Sequence, residues 1–185
     1  MNPEEFTRLV KKKGAELKNY ATSQFPTKAG NITLRFINGN FRAQGFQGNT
    51  FKKWKANKRG GTILVKSGKL RSATTFTTQT GQVTIKNQMP YAKVHNEGFE
   101  GTVTVKAHTR NKYGKFKTGT GKFTKSGKER TKTMTAKTGE SKVKTHTRKM
   151  KIEQRQSIPT VESPSPVLNN AITREVAKDI NKIMK

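Results

Sequence analysis

The sequence predicts an α+β protein: a small antiparallel sheet flanked by an N-terminal and a C-terminal helix, with a long basic β-hairpin or loop arm inserted. Three observations predict it. Apolar residues recur near a period of 3.6 at both ends of the chain, the spacing of amphipathic helices. Short stretches between them alternate apolar and polar, the period of half-buried strands. Residues 101–150 hold 15 Lys or Arg against 2 Glu, a net +13 of the chain's +28, and are rich in Thr and Gly. Such a segment cannot bury enough apolar surface to offset the entropy of ordering it.

Taken in order, residues 3–22 predict the first helix, with Phe6, Leu9, Val10, Leu17, Tyr20 and Ala21 as its stripe. Pro3, Glu4 and Glu5 suit its first turn, where proline needs no amide and acids oppose the dipole. Pro26 is expected to end it. A second helix is expected over about 31–43, on Ile32, Phe36, Ile37 and Phe41. Residues 45–48 read as a turn, followed by Phe51 and the single Trp54, an expected anchor of core or interface. Residues 62–65 are a short apolar run, and 67–71 break and restart the chain. Residues 72–79 and 82–87 predict a hairpin around Thr80-Gly81.

Residues 102–109 and 142–152 read as two strands sharing an echo, Lys106-Ala107-His108-Thr109-Arg110 and Lys144-Thr145-His146-Thr147-Arg148. Paired, they would form the base of one arm with 111–141 as its tip. A tip of roughly 15 residues per side would extend on the order of 50 Å. The expected organisation is therefore one α+β domain of residues 1–110 and 142–185, with 111–141 inserted. A linker with three prolines over 157–166 leads into a last helix from about 166 to 184, capped by Ser165 or Ser163.

Composition excludes several kinds of chemistry. The chain of 185 residues has no cysteine, so it holds no disulfide framework, thiol nucleophile or Cys-based zinc site. Hydrophobic residues make up 30%, against a globular norm of roughly 45–50% that also counts glycine. No apolar run approaches the ~18 residues of a membrane span, and the polar N-terminus does not read as a signal peptide. Synthesis in a cytoplasm-like compartment is expected. His95 and Glu97 offer an imidazole and a carboxylate, but no helical His-x-x-x-His pair exists. Glu97 and Glu100 read as a solvated turn before an acid/base pair, and Gly119-x-Gly121 lacks the strand–turn–helix setting of a phosphate loop. No enzyme activity, cofactor or metal is expected.

The candidate contact residues are those of the basic block. They are Lys106, Arg110, Lys112, Lys115, Lys117, Lys122, Lys125, Lys128, Arg130, Lys132, Lys137, Lys142, Lys144, Arg148 and Lys149. Lysine predominates and aromatics are few (Tyr113, Phe116 and Phe123). That balance favours a phosphate backbone over base reading. An acidic protein surface and simple solvation are the other two readings.

The run Asn40-Phe41-Arg42-Ala43-Gln44-Gly45-Phe46, then Trp54, then Ile63 through Ser72 with Ser67-Gly68-Lys69-Leu70-Arg71, resembles the virion-morphogenesis family of tailed bacteriophages. Tyr91-Ala92-Lys93-Val94-His95-Asn96-Glu97-Gly98 continues the likeness, and Arg155-Gln156-Ser157-Ile158 closes it, with Ser157 where the family has an aromatic. The likeness covers roughly residues 3–110 and 142–185. It implies a tail-completion or neck protein at the head–tail junction. The protein would be made in the host cytoplasm and carried in the virion. Its expected partners are further copies in a ring, commonly six-fold, and the neighbouring connector or stopper and tail-tube or tail-terminator proteins. Sequence-nonspecific contact with packaged DNA is a further expectation, and no membrane is. For Phe41, Gly45, Phe46, Trp54, Ser67, Gly68, Leu70, Tyr91, Ala92, His95 and Gly98 it implies structural roles. Tyr91 and His95 would orient a turn that Gly98 permits. The alternative is a free-standing nonspecific nucleic-acid-binding protein using residues 101–150.

Overall fold

The computed structural model describes residues 2–57 and 60–185. The fold is mixed helix and strand and divides into two compact units, Met1–Phe99 with Ile152–Lys185, and Glu100–Lys151.

Helix α1 (Pro3–Asn19) begins with a reciprocal cap, in which the Asn2 side chain accepts from the first turn and Glu5 accepts from the Asn2 amide. Pro26 does not end the helix. A π-helical turn, Tyr20–Gln24, follows α1 and leads without a break into α2 (Phe25–Ala43), where Pro26 occupies the first turn. The proline leaves the Thr22 carbonyl without its i+4 amide, and that carbonyl accepts from Gly81 N–H at 3.0 Å. A hairpin distant in sequence thus completes the backbone pairing that periodicity alone could not foresee.

Helix α2 ends where Gln44 turns left-handed, with φ +56°. Strands β1 (Gly45–Gln47) and β2 (Phe51–Lys53) then pair antiparallel. The expected turn at 45–48 is therefore mostly strand. The apolar run 62–65 is not a strand. The Gln44 amide takes both backbone groups of Ile63, and Leu64 lies at φ +59°. Ile37, Phe41, Trp54, Ile63 and Leu70 form the buried core, with the Phe41 and Trp54 rings edge to face at 5.5 Å. Strands β3 (Thr74–Gln79) and β4 (Gln82–Asn87) form a two-residue hairpin against α2, which meets Phe76 across Gly30. A Cβ at Gly30 would lie 2.5 Å from that ring. Two short helices, α3 (Lys69–Ser72) and α4 (Ala92–Glu97), flank the hairpin in sequence.

The last helix, α5 (Pro166–Met184), is capped by Ser165, whose hydroxyl accepts from Leu168 N–H and donates to the Gln47 carbonyl. It runs back along α2 and α1. Asp179 accepts from Lys28 and from the Tyr20 hydroxyl, and Lys13 Nζ donates to the Ile183 carbonyl. The Lys28 hydrogen bond holds the Asp179 carboxyl below its ordinary range, while burial and then Asp179 push the Tyr20 phenol up to about 12. Because α5 stops opposite Lys13, the first turns of α1 have no partner there. Phe6, Leu9 and Val10 stay 58%, 41% and 53% exposed, and α1 buries no residue. The sequence stripe marked a helix correctly, but of its residues only Tyr20, in the π-helical turn, is buried.

In the second unit, β5 (Phe99–Val105) pairs with β8 (His146–Ile152), and β6 (His108–Phe123) pairs antiparallel with β7 (Glu129–Val143). The bounds 111–141 read from composition lie inside this unit.

Candidate functional site

The basic residues form a two-stranded ribbon. At ~3.4 Å per residue its 16-residue strand β6 spans on the order of 50 Å. Register assigns the side chains to faces, because directly paired residues share one. Arg110, Lys112, Phe116 and Thr118 share a face with Ser141, Gly139, Met134 and Lys132. Lys115, Lys117 and Tyr113 share the other with Lys137, Lys142 and Glu140. Positive charge therefore lies on both faces of the ribbon. Lys122, Lys125, Lys128 and Arg130 cluster at the tip, where Thr124 closes the turn against Lys128 and Gly127 sits at φ +76°. No described residue of 100–151 is buried.

The echoed pentapeptides mark a paired interruption. Backbone pairing lapses at Lys106-Ala107 on one side and at Lys144-Thr145 on the other. Each following histidine uses Nδ1 to bond the lysine carbonyl two residues back, His108 to Lys106 at 2.9 Å and His146 to Lys144 at 3.0 Å. Ala107 N–H donates to Thr145 Oγ1 across the gap. Arg148 and Lys149 lie beyond it on β8. The three acids of this unit are engaged. Glu100 pairs with Lys151 at 2.7 Å, Glu140 with Lys137, and Glu129 accepts from Gly121 N–H.

The motif residues of the first unit sort into two groups. Phe41, Gly45, Phe46, Trp54 and Leu70 are buried, and Ala92 packs half-buried against their cluster. A Cβ at Gly45 would collide with the Phe51 ring, so glycine lets β2 close over β1. Ser67 and Gly68 converge instead with Tyr91 and His95 on one cavity of about 460 Å³, whose wall the buried Leu70 shares. Asn57, Ile63, Leu64, Lys66, Lys69 and Arg155 complete its lining. Tyr91, at the N-cap of α4, and His95, one turn into it, stack edge to face at 6.0 Å. Gly98 ends that helix at φ +82°, where a Cβ would press on Gln154 and the Ile152 carbonyl. Burial, and then Arg155, hold the His95 imidazole below its ordinary pKa.

No known protein family, curated protein or solved structure matches this chain.

Sequence reasoning missed the polar residues that hold the C-terminal segment to the core. Asn40 is fully buried, donates to the Ser157 carbonyl and accepts from Gln47 N–H. Asn96 accepts from Ser157 and Ile158 N–H and donates back to the Ile158 carbonyl. Trp54 Nε1 donates to the Gln156 carbonyl at 2.8 Å. One signal was present: Asn40 falls on the apolar stripe of α2, three residues after Ile37 and beside Phe41. A polar residue inside such a stripe marks a buried hydrogen bond. Among the described residues, no group of three or more His, Asp or Glu side chains comes together as a metal site.

Proposed function

We propose that this chain is a structural component of a tailed-phage neck: a tail-completion protein that joins tail to head as a homo-oligomeric ring, built into the virion after synthesis in the host cytoplasm. One observation supports this reading above the others. The chain spends 52 residues, Glu100–Lys151, on a basic ribbon that buries none of its described side chains. A lone two-stranded ribbon is marginal in water, so this one gains its stability from surfaces it meets in an assembly. Neighbouring copies, a connector or stopper, and a tail-tube or terminator protein are the proposed surfaces. Packaged DNA is the proposed counter-charge, because lysines on both faces suit sequence-blind contact with phosphates.

Removing residues 111–141 tests the reading. Infected cells should then accumulate full heads and finished tails that fail to join, visible by electron microscopy of lysates. Normal yields of infectious particles would exclude an essential arm.

The presence of charge on both faces also favours a second reading, a free-standing nonspecific nucleic-acid-binding protein. It predicts tight binding of duplex DNA by the isolated chain, falling steeply between low and physiological salt. It also predicts no joining defect when the arm is removed.

A further inference from the structure

The bare end of α1 belongs to a face that α5 covers only in part. Phe6, Leu9, Lys13 and Leu17 recur at three- and four-residue steps and so share one side of the helix, with Val10 beside them. Helix α5 covers the later half of that side. It runs antiparallel to α1, with Asp179 on Tyr20 and Ile183 on Lys13. Lys13, Glu16 and Leu17 are half-buried there, whereas every residue of 2–12 is exposed, Phe6, Leu9 and Val10 included. About three turns of helix exposed all round are marginal in water on their own.

The charges beside the bare face say what covers it. Glu5 and Lys12 are seven residues apart, so they hold the same heptad position on one flank of the apolar stripe, about 10 Å apart along the axis. A second α1 related by a two-fold axis and laid antiparallel sets like flank against like flank with the direction reversed. With the axis level with Arg8 and Leu9, Glu5 of each copy meets Lys12 of the other, twice by symmetry. Leu9 then meets its own counterpart, and Phe6 lies against Val10 of the other copy. A parallel pair would instead set this flank against the opposite one, where Pro3, Thr7 and Gly14 carry no charge. The antiparallel copy also runs in the direction of α5 and takes up its line beyond the contact with Lys13. Within residues 2–10 Glu4 and Glu5 outnumber Arg8, so two copies of a chain of +28 meet at one of its few stretches that is not basic. The same two acids stand against an anionic lipid surface as the cover.

We propose that the Phe6–Leu9–Val10 face pairs with the same face of a second copy, antiparallel, with Glu5 and Lys12 fixing the register. The pair does not rest on the neck reading, because an isologous contact closes at two and builds no ring by itself.

Sedimentation equilibrium of the full chain tests the pair at about 0.3 M salt, where screening shortens the reach of its net charge to about 6 Å. A monomer–dimer equilibrium is expected. F6Q/V10Q alters only exposed side chains and should weaken it by about tenfold or more. K12E sets like charges together and should weaken it by about threefold. The chain has no cysteine, so introduced ones report the register. Under mild oxidation L9C should cross-link to itself and E5C/K12C should cross-link between copies, because their Cβ atoms come within disulfide reach. E5C alone, K12C alone and K11C on the far side of the helix should not. A chain that stays monomeric, a dimer that F6Q/V10Q leaves intact, or E5C and K12C each cross-linking to itself as readily as L9C would overturn the proposal. A closed ring that persists in F6Q/V10Q would keep the neck reading and overturn this pair. Monomers that bind phosphatidylserine vesicles through Phe6 and Val10 would assign the face to a membrane and overturn it too.

Discussion

In the unit of residues 1–99 and 152–185, Ile37, Asn40 and Phe41 are almost sealed from solvent, and their hydrogen-bonding groups are answered by named partners. In Glu100–Lys151, by contrast, not one described residue is buried, and Phe116 faces Met134 in open solvent. The first unit is held by packing, so its sequence must supply large apolar groups at fixed places. The second is held mainly by backbone pairing, with a few exposed side-chain bonds, so most of its side chains are free to be lysine and threonine. This freedom explains how one chain carries +28 and still folds. The charge collects where no core has to form.

The largest test of this contrast is Trp54→Ala, which empties the core and leaves the Gln156 carbonyl without its donor. It should cost about 3–5 kcal/mol of unfolding free energy, read by urea titration. Asn40→Ala removes one side chain that bonds two segments, and should cost about 1–3 kcal/mol because the Ser157 carbonyl and Gln47 amide stay buried or half-buried.

A subtler effect comes from His95. Its pKa is lowered in the fold, so the unfolded chain binds the extra proton first. The stability this neutral ring contributes is full above roughly 6.5. It is lost as pH falls from there through the lower folded value. A pH series of urea midpoints should show this slope in the natural chain and a flatter one in His95→Gln.

The smallest effect should be in the ribbon. Phe116→Ala is expected to change unfolding free energy by under about 0.5 kcal/mol, since an exposed ring gives up little on truncation. Deleting 111–141 should likewise leave the urea midpoint of the first unit within error. A large shift in either experiment would mean that the ribbon is packed in the free chain, and the contrast between the units would fail.

Much of the fold was legible residue by residue. The 3.6 period located α1 and α5, Ser165 was readable as a cap, and Thr80-Gly81 marked the β3–β4 turn. These are local signals, written in spacing and in the conformations that particular residues prefer. The failures were also of one kind. Pro26 read as a stop because the donor that rescues Thr22, the Gly81 amide, lies 59 residues away in the chain. The short apolar run at 62–65 carried no sign of its irregular backbone, because the Gln44 side chain that captures Ile63 is not its sequence neighbour. The stripe of α1 gave its periodicity and not its burial, because burial depends on where α5 ends.

The sequence by itself determined the class of the fold, the helical and strand spacings, and the concentration of charge in one block of low apolar content. Each follows from side chains and their immediate neighbours. Only the tertiary structure decided which helix faces are covered, which carbonyls find distant donors, and that two motif runs, 67–70 and 91–95, meet around one basic cavity. The physical reason is that hydrogen bonds and burial are relations between residues, and most of the decisive ones here join positions far apart in the chain.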